Sequence, residues 1–293
     1  MAGEFDFIAW VRKQTASSEG VLVGPGDDCA VVVPPKQPLL ITTDVLTEGV
    51  DFLLKETAPE AVGRKAMAVN LSDIAAMAGS PLYAVVGLVL PQSNGIAIAE
   101  GVYRGLAEVA AKYGVVIVGG DTNSWTGGLV VSVTLFGEAP DGGAILRSGA
   151  EVGDELFVTG PCGGSLLGRH LTPTPRIAEA QELIRQFRIH AMIDISDGLA
   201  ADLHHLVTES GVGAKLFADT IPIHSDAVER SKHTGRTPLQ HALGDGEDFE
   251  LMFAAAPGQG IPYPRIGIVV ERGFTIVSDG IESALEPTGW KHF

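Results

Sequence analysis

Five aspartate motifs stand in short runs of small and apolar residues: Gly26-Asp27-Asp28-Cys29-Ala30, Thr42-Thr43-Asp44, Leu71-Ser72-Asp73-Ile74, Gly119-Gly120-Asp121-Thr122 and Ile195-Ser196-Asp197-Gly198. A single aspartate in such a setting is usually a solvated loop residue or a helix N-cap. Five that converge are another matter. Each like-charged pair near 4 Å repels by roughly 4 kcal/mol at an effective dielectric of 20, against a whole-domain stability of about 5–15 kcal/mol. Cations must hold such a cluster, and no lysine or arginine stands inside any of the motifs. The countercharge this predicts is a hard divalent metal, Mg2+, which binds through carboxylates together with substrate phosphates. The chemistry implied is that of nucleotide phosphates.

The elements that must carry these residues alternate between strand and helix patterns. A strand is predicted over 39–43, with Asp44 at its carboxyl end, where ligands collect in α/β sheets. A helix over 59–77 follows, opened by Pro59 and closed by Gly79 and Pro81. Asn70 and Asp73 lie three apart on it, flanked at four residues by Ala66 and Met77, so both polar groups are expected on an inward, otherwise apolar face. Further predictions are a strand over 82–90, a helix over 96–113 ended by Gly114, a strand over 115–118 running into Gly119-Gly120-Asp121, and a strand over 129–136. After Pro140-Asp141-Gly142-Gly143 the pattern restarts, which sets a domain boundary there: 1–140 and 141–293. The second half predicts a strand over 155–159, a helix over 176–187, a strand over 192–195, a helix over 197–209, and a strand in which Phe249, Leu251 and Phe253 alternate. The fold class is α/β to α+β, with mixed sheets packed against helices in two domains.

Length and composition agree. The chain has 293 residues, 45% apolar and 19% charged, enough for two cores and too apolar for disorder. A net charge of −16 argues against nucleic acid or anionic lipid as partners, both of which need a basic footprint. ATP is not excluded, because bound metals supply positive charge locally. Cys29 and Cys162 form neither metal spacing nor a disulfide framework, as in a reducing cytoplasm, and Cys29 reads as a small buried residue. The first 14 residues carry Glu4, Asp6, Arg12 and Lys13 and do not read as a signal peptide. The longest apolar stretch, 82–90, is half of what a bilayer requires. The expectation is a soluble cytoplasmic protein.

Other motifs carry less. Gly160-Pro161-Cys162-Gly163-Gly164-Ser165 reads either as a phosphate cradle or as a tight turn with no ligand. No P-loop, no dinucleotide fingerprint and no kinase-type His-Arg-Asp or Asp-Phe-Gly element is present. His204 and His205 are adjacent on a helix and point apart, one to the surface and one to the core, which disfavours a joint metal site.

Together with Val69-Asn70-Leu71-Ser72-Asp73-Ile74-Ala75-Ala76-Met77, Asp194-Ile195-Ser196-Asp197-Gly198-Leu199, Gly246-Glu247-Asp248-Phe249-Glu250-Leu251 and the terminal Gly289-Trp290-Lys291-His292-Phe293, the aspartate motifs occur in the order seen in the thiamine-monophosphate kinase family. The chain resembles that family over nearly its full length. It is also similar to the wider superfamily of aminoimidazole ribonucleotide synthetase, selenophosphate synthetase and a hydrogenase maturation dehydratase. The resemblance implies an N-terminal domain for metal, ATP and dimer contacts and a C-terminal domain completing the nucleotide and substrate site. It implies that Asp28, Asp44, Asp73, Asp121, Asp194 and Asp197 hold several Mg2+ ions, with Thr42 and Thr43 adding oxygens. Tyr103, Gly120, Asp121, Arg147 and Ser196 would contact ATP, and Asp51, Glu247 and Trp290 would contact thiamine monophosphate. A homodimer is implied as well. Two departures stand out: the family often carries His where Asp51 stands, and it inserts a longer helix in the stretch between Gly164 and Pro173.

The implied chemistry is self-consistent. A phosphate monoester has a second pKa near 6, so the acceptor is largely a dianion at pH 7 and needs no general base; no catalytic base is expected. The obstacle is repulsion between two phosphates, which Mg2+ would relieve while aligning an in-line displacement. Glu247 and Asp51 suit a cationic thiazolium or aminopyrimidine, and Trp290 could stack on it. Two other readings stay open: another ATP-dependent ligase or dehydratase of the superfamily, and a noncatalytic Mg-nucleotide scaffold. Against the first, the chain lacks the terminal reactive cysteine expected of the hydrogenase branch and the N-terminal Cys or Sec with lysine expected of the selenophosphate branch.

Overall fold

Eighteen residues rich in alanine and free of proline after the first position form one long helix at Pro59–Ala76, because Pro presets the first turn and the straight and small side chains that follow lose little freedom. A second, at Gly95–Lys112, crosses it so closely that a Cβ on Gly63 would meet Val102 O at 2.0 Å and one on Gly105 would meet Glu60 O at 2.0 Å. Only glycine permits that approach. The structure, a computed structural model, describes residues 4–15 and 18–291; His292 and Phe293 of the terminal motif lie outside the described residues.

The chain divides into two units, the first from the described residues of Met1–Ile74 and Gly79–Gly143, the second from Ala75–Ala78 and the described residues of Ala144–Phe293. In chain order the first holds α1 (Glu4–Gln14), β1 (Val21–Val23), β2 (Val31–Val32), β3 (Leu39–Thr47), most of α2 (Pro59–Ala76), β4 (Ser80–Pro91), α3 (Gly95–Lys112), β5 (Val116–Trp125) and β6 (Val130–Glu138). Its sheet runs β3-β6-β4-β5, with β4 and β5 parallel and the other neighbours antiparallel. Alternation along β6 buries Val131, Val133 and Leu135 on one face. The other face is partly covered by the β1–β2 ribbon, where Val21, Ala30 and Val32 pack on Tyr83, Val116 and Val118, while Ile41 and Val45 stay exposed.

The second unit holds β7 (Glu155–Val158), α4 (Ile177–Gln186), β8 (Ile189–Asp194), α5 (Leu199–Ser210), β9 (Gly213–Phe217), α6 (Ser225–Thr234), α7 (Pro238–Gly244), β10 (Leu251–Ala255), β11 (Arg265–Val270), β12 (Phe274–Ser278) and β13 (Ile281–Ala284). Its seven strands run β13-β12-β9-β11-β7-β10-β8, with β9 and β12 parallel. Leu156, Val158, Ile193, Met252 and Ala254 share a core with Leu203 and Leu206 of α5. The alternate residues Phe157 and Phe253 point to the opposite face and stack at 5.4 Å.

Several local expectations are corrected. The strand predicted over 39–43 continues to Thr47, so Asp44 lies inside β3 rather than at its end; with β6 paired along its whole length there is nothing to stop it. Asp121 likewise lies within β5, which continues past the Gly119-Gly120 pair. Phe249 is not in the strand it was expected to share with Leu251 and Phe253; its φ of 51° puts it in the left-handed region, and β10 begins at Leu251.

Candidate functional site

In the first unit the sheet separates the predicted ligands. Opposite partners in a sheet share a face, and the register aligns Thr43 with Thr134 and Val85, and Val45 with Ser132, Gly87 and Asp121. Thr43 and Asp121 therefore belong to the face away from α2. Thr43 Oγ1 donates to Val133 O at 3.1 Å and accepts from Thr134 Oγ1 at 3.1 Å. Thr42 and Asp44 project to the helix side, where Thr42 Oγ1 donates to Asp73 Oδ2. One helical turn before Asp73, Asn70 is fully buried; its Nδ2 donates to Ala66 O at 3.0 Å while its Oδ1 has no hydrogen-bond partner. The inward face expected of Asn70 and Asp73 is present. This set of oxygen donors, with an enclosed acceptor left over, fits a hard cation.

On the other face a cavity of about 1260 Å3 is lined by Asp28, Tyr103, Gly120 and Asp121 among aliphatic and aromatic residues of α1, β4 and the β1–β2 ribbon. Four predicted metal and ATP residues thus share one cavity. Tyr103 is nearly buried, with its hydroxyl 3.2 Å from Thr15 Oγ1 and its ring edge-on to Trp10, and burial raises its pKa. Gly120 has a reason to be glycine without any ligand: a Cβ there would meet Val86 O of the neighbouring strand at 2.1 Å. Cys29 also lines the cavity and is exposed, contrary to the buried residue expected. Asp51 sits at the turn after β3, its Oδ2 accepting from Thr47 N at 2.7 Å and its carbonyl accepting from the fully buried Lys65 Nζ at 2.9 Å.

In the second unit the predicted residues come together. Asp194 ends β8, and Ser196, Asp197 and Gly198 lead into α5. Ser196 O accepts from Glu247 N at 2.7 Å, and Asp197 O accepts from Trp290 N at 2.9 Å. One loop therefore gathers metal, nucleotide and substrate candidates through main-chain bonds, which no side-chain substitution removes directly. Arg147 is not among them. It is exposed, and its carbonyl accepts from Ser210 Oγ at 3.1 Å at the far end of α5, a helix of 12 residues, hence about 18 Å long.

Asp202 was not singled out by the sequence, yet it holds this loop. Its Oδ2 accepts from Asp197 N and Gly198 N, both at 3.0 Å, and the residue is 2% exposed. Burial first, then the Asp194 and Asp197 carboxylates, push its pKa up to about 8. Three crowded carboxylates with oxygen-only donors again suit a divalent cation. The missed signal was an acid five residues after Asp197 at the start of an apolar helix.

Gly246-Glu247-Asp248-Phe249-Glu250 closes the site from the other side. Glu247 has φ 52°, and a left-handed non-glycine residue costs about 1–2 kcal/mol. Two ion pairs fix the residues that follow: Arg169 Nη2 reaches Asp248 at 2.8 Å, and Arg176 Nε reaches Glu250 at 2.9 Å. Burial raises Asp248 to about 6 despite Arg169. For Arg176 burial opposes the charge, but the hydrogen bond and attraction of Glu250 outweigh it and the pKa rises. The Gly-rich turn proves to be structural. The Gly163 amide donates to Asp248 at 2.9 Å and the Gly164 amide to Asp245 at 3.0 Å, so these amides are already taken and do not cradle phosphate. Both His204 and His205 are exposed, correcting the surface-and-core expectation. They border a cavity of about 300 Å3 together with Asp197, Ala201, Pro287, Trp290 and Lys291.

Residues 26–139 match the family model for AIR synthase related protein, N-terminal domain, and 114–265 match that for AIR synthase related protein, C-terminal domain. Thiamine-monophosphate kinase of Rhodopirellula baltica is 46% identical over 288 residues, spanning 92% of this chain and 90% of that protein. The crystal structure of thiamine-monophosphate kinase from Stenotrophomonas maltophilia K279a has a TM-score of 0.81 at 33% identity, covering 95% of this chain and 97% of that one. The structure of AaThiL complexed with AMPPCP and TMP has a TM-score of 0.80 at 35% identity, covering 99% and 97%. With both AIR synthase related domains in an α+β fold of mixed sheets, and relatives of this identity along nearly its whole length, the chain belongs to the thiamine-monophosphate kinase family.

Proposed function

We propose that this protein transfers the γ-phosphoryl group of ATP to thiamine monophosphate, giving thiamine diphosphate and ADP. The observation that carries the reading is the loop of the second unit after Asp194, where Ser196 and Asp197 are tied by main-chain bonds to Glu247 and Trp290, in a chain 46% identical to a thiamine-monophosphate kinase. Acids suited to a metal and groups suited to a cationic heteroaromatic occupy one small region.

Asp194 and Asp197 in the second unit, and Asp28, Thr42, Thr43, Asp44, Asp73 and Asp121 in the first, are assigned to Mg2+. When bound, Mg2+ neutralises the phosphates of donor and acceptor and favours in-line attack. The protein's own part is positioning. Asp202 fixes the Asp197-Gly198 turn, Tyr103, Gly120 and Ser196 are assigned to ATP, Arg147 is assigned to ATP by the resemblance alone, since it stands at the end of α5 away from the Asp197 loop, and Glu247, Trp290 and Asp51 are assigned to the cationic end of the acceptor. No side chain is assigned as general base, since the acceptor phosphate is already ionised. The exposed apolar row of Ile41, Val45 and Val85 on the first unit's sheet supports a homodimer, because a flat apolar face of this kind is commonly covered by a second subunit. Among the described residues no helix is long and apolar enough to cross a membrane, and the cytoplasm is assigned from the reducing context suggested by the two free cysteines. Mass spectrometry after incubation with ATP, Mg2+ and thiamine monophosphate tests the reaction. Thiamine diphosphate and ADP in equal amounts are expected; ADP with phosphate and no diphosphate product would point to another superfamily reaction.

A further inference from the structure

Three basic residues on one short stretch meet three acids on another. Arg169 Nη2 lies 2.8 Å from Asp248, His170 Nδ1 lies 3.1 Å from Glu247 Oε2, and Arg176 Nε lies 2.9 Å from Glu250. Arg169 and His170 come from the stretch that is shorter here than the resemblance leads one to expect, folded as a turn of 3-10 helix at Arg169–Leu171, and Arg176 stands just beyond it at the start of α4. The pairs differ in burial. The Asp248 and Glu250 side chains are 0% and 6% exposed, whereas His170 and Glu247 keep 14% and 24%. Arg169 and Arg176 themselves keep 24% and 26%, so the difference lies in the acids: Asp248 and Glu250 are anchored inside the fold, and Glu247 is the carboxylate of the three that a ligand can reach.

Glu247 needs such a partner. Its backbone is fixed in the left-handed region and bonded to Ser196 O, but its side chain has three torsions of its own, and a carboxylate that must meet a cation gains from being held in advance. An imidazole protonated at Nδ1 donates one hydrogen bond to Oε2 and leaves the carboxylate its charge.

We propose that His170 is a positioning residue for substrate recognition: it holds the Glu247 carboxylate in the orientation that receives the cationic heteroaromatic part of the acceptor. This rests on the reading of Glu247 as a substrate-binding residue and deepens it. Arg169 and Arg176 bind the Asp248 and Glu250 side chains of the same motif, so the three bases together act as a clasp on the segment that carries Glu247.

The test compares His170→Ala, His170→Asn, His170→Gln and Glu247→Gln in the full chain, with separate KM values for thiamine monophosphate and ATP, kcat, and melting temperature. An Asn amide can place an N–H near the position of Nδ1, whereas a Gln amide reaches toward that of Nε2. His170→Ala and His170→Gln are expected to raise the thiamine monophosphate KM about 3- to 10-fold, with the ATP KM and kcat within about two-fold, and His170→Asn to restore most of the loss. Equal rises in both KM values, or an Asn variant no better than Ala, would make His170 a packing residue and overturn the proposal. If Glu247→Gln raises the acceptor KM while His170→Ala does not, Glu247 binds substrate without help from His170 and the proposal alone fails. If Glu247→Gln leaves that KM unchanged, the substrate reading of Glu247 fails and the proposal goes with it.

Discussion

Replacing Trp290 with alanine separates substrate recognition from chemistry within one protein. The indole is 52% exposed, its main-chain N–H is bonded to Asp197 O, and its ring borders the cavity of about 300 Å3 beside His204 and His205. The main-chain bond survives the substitution, so the Asp197 loop should keep its path. About half of an aromatic surface of 150–250 Å2 is removed from water, which at 25 cal/mol per Å2 sets the loss of stability at no more than about 2–3 kcal/mol. That is a drop of several degrees in Tm, not loss of the fold. For binding, the lost cation–π contact is worth about 0.5–2 kcal/mol, which at 1.4 kcal/mol per tenfold raises the thiamine monophosphate KM about 2- to 30-fold. The ATP KM should stay within two-fold, and Trp290→Phe should recover part of the effect. Steady-state kinetics with each substrate varied against saturating partner supplies both constants. Were the two KM values to rise together, or neither to move, Trp290 would be a packing residue and the C-terminal segment would not belong to the acceptor pocket.

Other outcomes follow from the same geometry. The crowded carboxylates should not bind ATP unaided, so divalent metal removal should abolish nucleotide binding as well as turnover; calorimetry showing tight ATP binding in excess chelator would contradict this. Asp44→Asn, Asp73→Asn and Asp121→Asn should each reduce kcat/KM by at least about 100-fold, roughly 2.7 kcal/mol, with circular dichroism unchanged because removing one charge relieves repulsion; near-normal kinetics would remove these residues from the metal set. Asp248 has a folded pKa of about 6 against an ordinary 3.8, so the unfolded chain releases this proton first as pH rises and the contribution to stability falls between about pH 4 and 6. Relative to Asp248→Asn, the wild-type unfolding free energy should decline by about 3 kcal/mol across that window and then level off; a difference independent of pH would mean that Arg169 compensates the burial fully.

The helices and strands that owe their existence to periodicity were legible. The helices read from the sequence over 59–77 and 96–113 occur at Pro59–Ala76 and Gly95–Lys112, because a proline start and an apolar face are local properties. Strand ends were not legible. Asp44 and Asp121 sit inside strands because β6 and β4 offer paired partners beyond the point where the local pattern stops, and pairing is a property of another part of the chain. Phe249 was misread for a related reason. Its alternation with Leu251 and Phe253 looked like a strand, but all five residues of β10 are buried on both faces, and the backbone before Leu251 is turned left-handed to present Glu247.

The site divides in the same way. Aspartates in apolar runs announced themselves by composition, since an acid there must have a partner. What positions them did not, because Asp202, Arg169, His170 and Arg176 are ordinary polar residues until the fold brings them within 3 Å or so of their targets. The Gly-rich turn shows the converse. Gly163 and Gly164 have the composition of a phosphate loop, yet Asp248 and Asp245 occupy their amides. An anion would have to displace a carboxylate that is already buried and, for Asp245, held by Arg230, Arg236 and His241. A buried carboxylate with that many donors yields no amide to a solvated phosphate, because the exchange would leave the carboxylate short of a partner and strip the phosphate of water. On the proposed reading, phosphate binding falls to the aspartates and the Mg2+ ions assigned to them, which would let a chain of net charge −16 take two anionic substrates.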